Sequence, residues 1–128
     1  MKEKETDKRH DFGHQCEFMA CRYLEKQGYL IQETNWRCGH KEIDIIAKDG
    51  KMLVIVEVKA RKSENIIHAD EAVDEKKMRN LIRAAHNYIL NKGLDCETRF
   101  DVITVILNKQ GIHSCGIISE WSTIVTFP

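Results

Sequence analysis

A mixed β-sheet with helices packed against it, an α/β fold, is predicted for this 128-residue chain by three observations. Two stretches carry apolar residues at helical spacing. An Asp-Gly pair stands between two strand-like runs. The elements follow in the order helix, three strands, helix, then one or two strands, which suits a central mixed sheet covered by helices.

Residues 1–10, MKEKETDKRH, are charged and read as a flexible tail, leaving 11–128 as a single domain. From Gly13 to about Gln27 the spacing is helical: Glu17, Ala20, Cys21 and Leu24 share one face, and Gly28 provides the stop. Tyr29-Leu30-Ile31 opens an extended segment towards Trp36. Glu42 to Ala47 starts by alternating polar and apolar residues, as a strand does, and Met52 to Lys59 is rich in β-branched residues. Asp49-Gly50 between them is a strong hairpin signal. Residues 60–72 read as a loop. A second helix is expected over Val73–Asn91, with Met78, Leu81, Ile82, Ala85 and Ile89 as its apolar stripe and Gly93 as its stop. Arg99–Leu107 reads as a strand interrupted by Asp101, and Ile112–Ile118 as a further strand. Trp121–Phe127 is apolar, and its form is left open.

Composition narrows the function classes. Lys plus Arg and Asp plus Glu each number 20, so net charge points to no partner. Five cysteines, an odd count with no CxxC, argue against a disulfide framework or a zinc ribbon and for a reducing compartment, the cytoplasm. No segment has the roughly 20 apolar residues that span a bilayer, and the first ten residues are unlike a signal peptide, so no membrane role is expected.

The chemistry concentrates on the hairpin. With Asp49-Gly50 as a two-residue turn, Lys48 faces Lys51, Asp44 faces Ile55 and Glu42 faces Glu57. Glu42, Asp44, Glu57 and Lys59 then project from one face, with Asp44 and Glu57 as diagonal neighbours about 7–8 Å apart. Carboxylates so placed repel one another and need a counter-charge; Lys59 is one candidate and a hard cation such as Mg²⁺ another. The bland alternative is a solvated face with a cross-strand ion pair. Against it, Ile46, Leu53 and Ile55 share the acids' face while Val54, Val56 and Val58 line the other. The strands therefore look central, where unpaired charge is costly. Glu17 repeats the anomaly on the first helix, where a helix-edge residue is the plain reading and completion of the carboxylate site the functional one. Lys76, Lys77, Arg79, Arg83 and Lys92 give the second helix a basic stretch, and Lys59, Arg61 and Lys62 extend it. A solvated face is the common meaning of such a run, and a nucleic-acid backbone is what it would suit.

The ordered set Glu42-Ile43-Asp44, Val56-Glu57-Val58-Lys59 with Arg61, and Arg99-Phe100-Asp101-Val102 resembles the YraN-like family of small bacterial proteins. Gly13, Glu17, Ala20, Leu24, Gly28, Asn35, Arg37, Lys77, Ala85 and Tyr88 match as well, so the resemblance covers residues 12–118. That family is similar to the restriction-endonuclease-like superfamily with its PD-(D/E)xK site, and to archaeal Holliday-junction resolvases. The resemblance implies a three-layer α/β/α fold. It also implies a metal-dependent endonuclease, in which Asp44, Glu57 and Lys59 match the catalytic acids and lysine and Glu17 the helical glutamate. Asp44, Glu57 and the Val58 carbonyl would hold Mg²⁺ or Mn²⁺, while Lys77, Arg61 and Arg83 would meet nucleic-acid phosphates. Structured DNA in repair or recombination suits the resolvase likeness, and a homodimer would let so small a nuclease address two strands. The alternatives are a non-catalytic nucleic-acid- or partner-binding module on the same fold and a structural metal or ion-pair site. One position departs from the family: Lys41 stands where Gly usually precedes Glu-Ile-Asp.

Overall fold

A computed structural model describes the backbone of residues 5–62, 75–108 and 111–125, and the side chains of residues 13–60 and 75–105. Seven elements follow one another: α1 (Glu5–Lys26), β1 (Leu30–Cys38), β2 (Lys41–Asp49), β3 (Met52–Lys62), α2 (Glu75–Lys92), β4 (Thr98–Asn108) and β5 (Gly111–Val125). The five strands form one sheet in the order β1-β2-β3-β4-β5. Only β3 and β4 run parallel, and the connection between them carries α2, the crossover that a parallel pair requires.

The two helices cover opposite faces, which makes the architecture three-layer α/β/α. Cys16, Ala20 and Leu24 of α1 pack on Ile45, Ala47, Val54, Val56, Ile103 and Val105. Leu81, Ala84, Ala85, Tyr88 and Ile89 of α2 pack on Ile43, Ile46, Leu53, Ile55 and Phe100. Most of these side chains are wholly buried, and the Val, Leu, Ile and Phe among them contribute about 1.5–3 kcal/mol of transfer free energy each. The face assignment of β3 follows its alternation as expected. The first helix presents Cys16, Ala20 and Leu24, at i, i+4 and i+8, so Glu17 lies at the edge of the buried stripe.

The elements depart from expectation in four places. The α1 helix begins at Glu5, ahead of the expected start at Gly13. Residues 60–62 continue β3 instead of opening a loop, because their backbone pairs with Val105, Ile106 and Leu107 of β4; residues 63–72 of that expected loop, and the expected helix start at Val73, lie outside the described residues. The β5 strand takes in both Ile112–Ile118 and Trp121–Val125, pairing with β4 out to Thr98↔Val125.

The fourth departure is the hairpin register. Asp49 pairs with Met52, not Lys48 with Lys51, so the turn residues are Gly50 and Lys51. Gly50 has φ +60° and Lys51 is not among the positive-φ residues, the pattern of a type II′ turn with glycine first. A type I′ turn at Asp49-Gly50 would have required a positive φ at Asp49. The glycine's tolerance of that region thus sets the register, which brings Asp44 level with Glu57 one step beyond the last pair, Ile45↔Val56.

Both helices end on the same device. Gly28 N–H donates to the Glu25 carbonyl at 3.0 Å and Tyr29 N–H to Leu24 at 3.0 Å, with Gly28 at φ +91°. Gly93 and Leu94 do likewise for α2, with Leu90 and Ile89 as acceptors. This is the Schellman arrangement, and Tyr29 and Leu94 pack against the two cores.

Candidate active site

The site forms where the sheet splits. β2 and β3 pair from Asp49↔Met52 to Ile45↔Val56, where the recorded ladder stops. β1 stays paired with β2 as far as Cys38↔Lys41, and β3 with β4 as far as Lys62↔Leu107. The strands thus part in the middle of the sheet. Asp44 stands at the fork, and its Oδ2 accepts the Val58 backbone N–H at 2.8 Å. A side-chain carboxylate takes a donor that a continued ladder would have given to a carbonyl.

The fork also interrupts the alternation of β2. Ile43 and Ile46 both pack towards α2, whereas Ile45 and Ala47 pack towards α1. Asn35 of β1 lies between the pairs Thr34↔Ile45 and Trp36↔Ile43, with φ +51°, a left-handed value that Asn tolerates better than most residues. Trp36 beyond it meets Tyr88 of α2 edge-on, with ring centroids 5.2 Å apart. Through this break Glu42 and Asp44 come to line a cleft of about 310 Å³ beneath α1, together with Gly13, His14, Glu17, Asn35 and Arg37. The sequence-derived geometry is corrected here: Asp44 and Glu42 line the cleft under α1, Glu42 reaching the α2 side as well, while Glu57 meets Lys77 of α2 on the face of Leu53 and Ile55.

Glu57 is buried, and its Oε1 lies 2.5 Å from the Nζ of Lys77 on α2. Burial pulls the Lys77 ammonium down, but the hydrogen bond and charge of Glu57 outweigh it, and the net shift is upward. Lys59, half-buried, neighbours Lys77 and is engaged in the same cluster. Asp44 carries the opposite strain. Burial, then the charge of Glu57, push its carboxyl up to about 7 against the pull of the Val58 N–H, with Glu17 and Glu42 adding to the rise. Glu17 reaches the cleft from α1, 3.8 Å from His14 Nδ1. Glu42 lies 3.9 Å from an exposed Arg37.

The fork thus brings Asp44 near both Glu57 and Glu17, and Lys59 near Lys77, the partner of Glu57. Lys77, expected to meet phosphate, serves first as the counter-charge of Glu57. Arg83 is exposed on α2. The Arg61 side chain lies outside the described residues. Sequence reasoning gave no role to His14, Asn35 or Arg37 as walls of the cleft. The Asn-Trp-Arg run was visible, but only its conformation reveals its use.

The carboxylates of Asp44 and Glu57 are oxygen donors that suit a hard cation, and burial together with neighbouring negative charge raises Asp44. Among the described residues, no group of three or more His, Cys, Asp or Glu side chains stands in a metal-holding arrangement. With Glu57 drawn to Lys77 and Asp44 to Val58, completing a coordination shell would take a shift of side chains or ligands from main chain and solvent.

A family model described as "Uncharacterised protein family UPF0102" matches residues 16–105, a span that contains Glu17, Asp44, Glu57, Lys59 and Lys77. The chain is 45% identical over 109 residues to a UPF0102 protein of Chlorobium chlorochromatii, covering 85% of this chain and 83% of that one. It is 46% identical over 96 residues to one of Bacteroides thetaiotaomicron, covering 75% and 79%. A third, of Porphyromonas gingivalis, is 42% identical over 101 residues, covering 79% and 75%. These names state a family and no activity.

Proposed function

The chain belongs to the uncharacterised protein family UPF0102, and we propose that it is a metal-dependent nuclease that hydrolyses phosphodiester bonds of nucleic acid. The observation that carries this reading is the fork: one acid at the split of two central strands, its main-chain donor at 2.8 Å, and an acid and a lysine on alternate residues of the neighbouring strand. A purely structural sheet has no use for such a concentration of like charge in its middle.

In this reading Asp44, Glu57 and the Val58 carbonyl hold Mg²⁺ or Mn²⁺. When bound, the ion activates water for attack and offsets charge at phosphorus. Lys59 donates to the attacking water or to a phosphoryl oxygen, so that its charge meets the charge that develops in the transition state. Glu17 closes the far side of the cleft and orients water there. Lys77 holds Glu57 in place, while Arg83 and Arg61 meet backbone phosphates along the strand. Structured DNA in repair or recombination is the proposed substrate, the cytoplasm the proposed location, and a homodimer the proposed assembly. No described helix is long and apolar enough to cross a membrane.

A second reading has its own support. Lys77 already occupies Glu57, an arrangement that a module binding nucleic acid or a partner without cutting would also have. Cleavage of labelled single-stranded, duplex, flap and four-way-junction substrates, with Mg²⁺, Mn²⁺ or EDTA, separates the two. The nuclease reading expects metal-dependent cutting that Lys59→Ala and Glu57→Ala both abolish. Full activity in Lys59→Ala would overturn it, and binding without cutting by pure protein would favour the module.

A further inference from the structure

The fork opens a second cleft on the α2 side of β2, with the opposite chemistry. About 160 Å³ in volume, it is lined by His40, Lys41, Glu42, Lys77, Asn80 and Leu81. An imidazole, two ammonium groups and an amide supply donors; the one carboxylate, Glu42, lies by Arg37 at 3.9 Å. Lys77 is committed to Glu57. The side chains of His40, Lys41 and Asn80 have no hydrogen bond or ion pair among the described residues. Three polar side chains without acceptors, beside a fourth whose charge is already matched, make a cleft short of negative charge.

Lys41 and Asn80 sit on regular elements, and His40 lies in the turn just before β2. Lys41 begins β2, and its backbone pairs with Cys38, so the root of its side chain is held by the sheet. Asn80 lies three residues after Lys77 on α2, on the same face of the helix. The volume amounts to about five waters at roughly 30 Å³ each, room for a tetrahedral oxyanion. Lys76, Arg79 and Arg83 lie exposed on the same helix and carry positive charge onward from the cleft.

The geometry points to a phosphate-binding subsite in this α2-side cleft, with Lys41 as its leading cation and His40 and Asn80 as further donors, taking one phosphodiester of a strand that runs on to the acidic cleft under α1. The polyanion's identity as nucleic acid rests on the function proposed above; the cleft's preference for an oxyanion does not. Glycine at position 41 would leave the cleft without this charge.

The test compares wild type with Lys41→Gly and Lys41→Gln, the second keeping a side chain at the strand start. Binding of end-labelled single-stranded and duplex oligonucleotides is followed by anisotropy in EDTA across a salt series, and binding of inorganic pyrophosphate by the NMR shift of the His40 imidazole. Both variants should bind the oligonucleotides several-fold more weakly, with a log K against log salt slope shallower by about 0.7–0.9, the share of one phosphate contact. Wild-type affinity and slope in both variants would overturn the subsite and leave the nuclease reading standing. If wild type binds no oligonucleotide, a pyrophosphate shift that depends on Lys41 still supports the subsite and removes the nucleic-acid reading. No such shift in that case would overturn the subsite too.

Discussion

Two ionic clusters lie in the same sheet, and they are built on different terms. Towards the hairpin, Arg99 of β4 donates to both oxygens of Asp101 at 2.9 Å, to the Tyr29 hydroxyl at 2.5 Å and to Asp49 at 3.3 Å. The guanidinium also lies over the Tyr29 ring, 5.4 Å from its centroid. Asp101 is fully buried, and the hydrogen bond to it lifts the Arg99 pKa further above an already high value. At the fork, Asp44 has one main-chain donor, and burial, then the charges of Glu57, Glu17 and Glu42, push it towards its neutral form. The first cluster gives its buried acid, Asp101, a bidentate cationic partner and so ties together β2, β4 and the end of α1. The second gives its buried acid, Asp44, a neutral main-chain donor beside other carboxylates, which costs stability and creates affinity for a cation. Where two buried clusters share one scaffold, the unbalanced one is the better functional candidate.

The largest expected effect is on the balanced cluster. Asp101→Leu leaves Arg99 without its buried partner and should cost about 3–5 kcal/mol in denaturant unfolding. A loss below about 1 kcal/mol would mean that Arg99 turns to solvent without penalty, and the contrast would weaken.

At the fork, Lys77→Met strips Glu57 of its counter-charge. Because Lys77 is itself 43% exposed, the cost should be smaller, about 1–2 kcal/mol. Adding Glu57→Gln should recover most of it, as a double-mutant cycle would register.

Asp44→Asn should move stability the other way. Its folded-state pKa lies above the ordinary carboxylate value, so the folded protein binds the extra proton. Wild-type stability therefore falls as pH rises from about 4 to about 7 and levels off above. The variant removes that penalty and still offers an oxygen to the Val58 N–H. It should gain about 1–2 kcal/mol near pH 8, discounted from the full shift because the cleft is open to solvent, and almost nothing below pH 4. Paired melts at the two pH values check this, and destabilisation at pH 8 would contradict the picture of strain at Asp44.

The smallest expected effect lies outside both clusters. Arg83→Ala, on the exposed face of α2, should stay within about 0.5 kcal/mol of wild type in stability, while weakening nucleic-acid binding alike across sequences.

Much of this contrast is written in the sequence, and part is not. The alternation of Leu53 to Val58 and the helical spacing of α2 predict both cores, since burial acts through side chains whose direction the backbone fixes. Asp44, Glu57, Lys59 and Glu17 are conspicuous as charges among apolar neighbours. Which cleft each acid reaches is not legible, because it depends on a break in alternation at Asp44 and a left-handed Asn35, and neither has a periodic signature. The hairpin register turned on whether Gly50 stands first or second in its turn, a difference of one residue with the same sequence cue. Asp101 reads as an interruption in an apolar strand; its match with Arg99, two residues away on the same side of the strand, follows from strand period, but Tyr29 and Asp49 join only through the fold.

The most direct measurement is a calorimetric titration of Mn²⁺ into wild type and Asp44→Asn at about pH 8 and about pH 6. The unbalanced fork predicts one saturable site in wild type, about tenfold weaker at the lower pH because a proton must leave Asp44, and no site in Asp44→Asn. Equal affinity in the two proteins, or none in wild type at either pH, would contradict the account of the fork as a cation site.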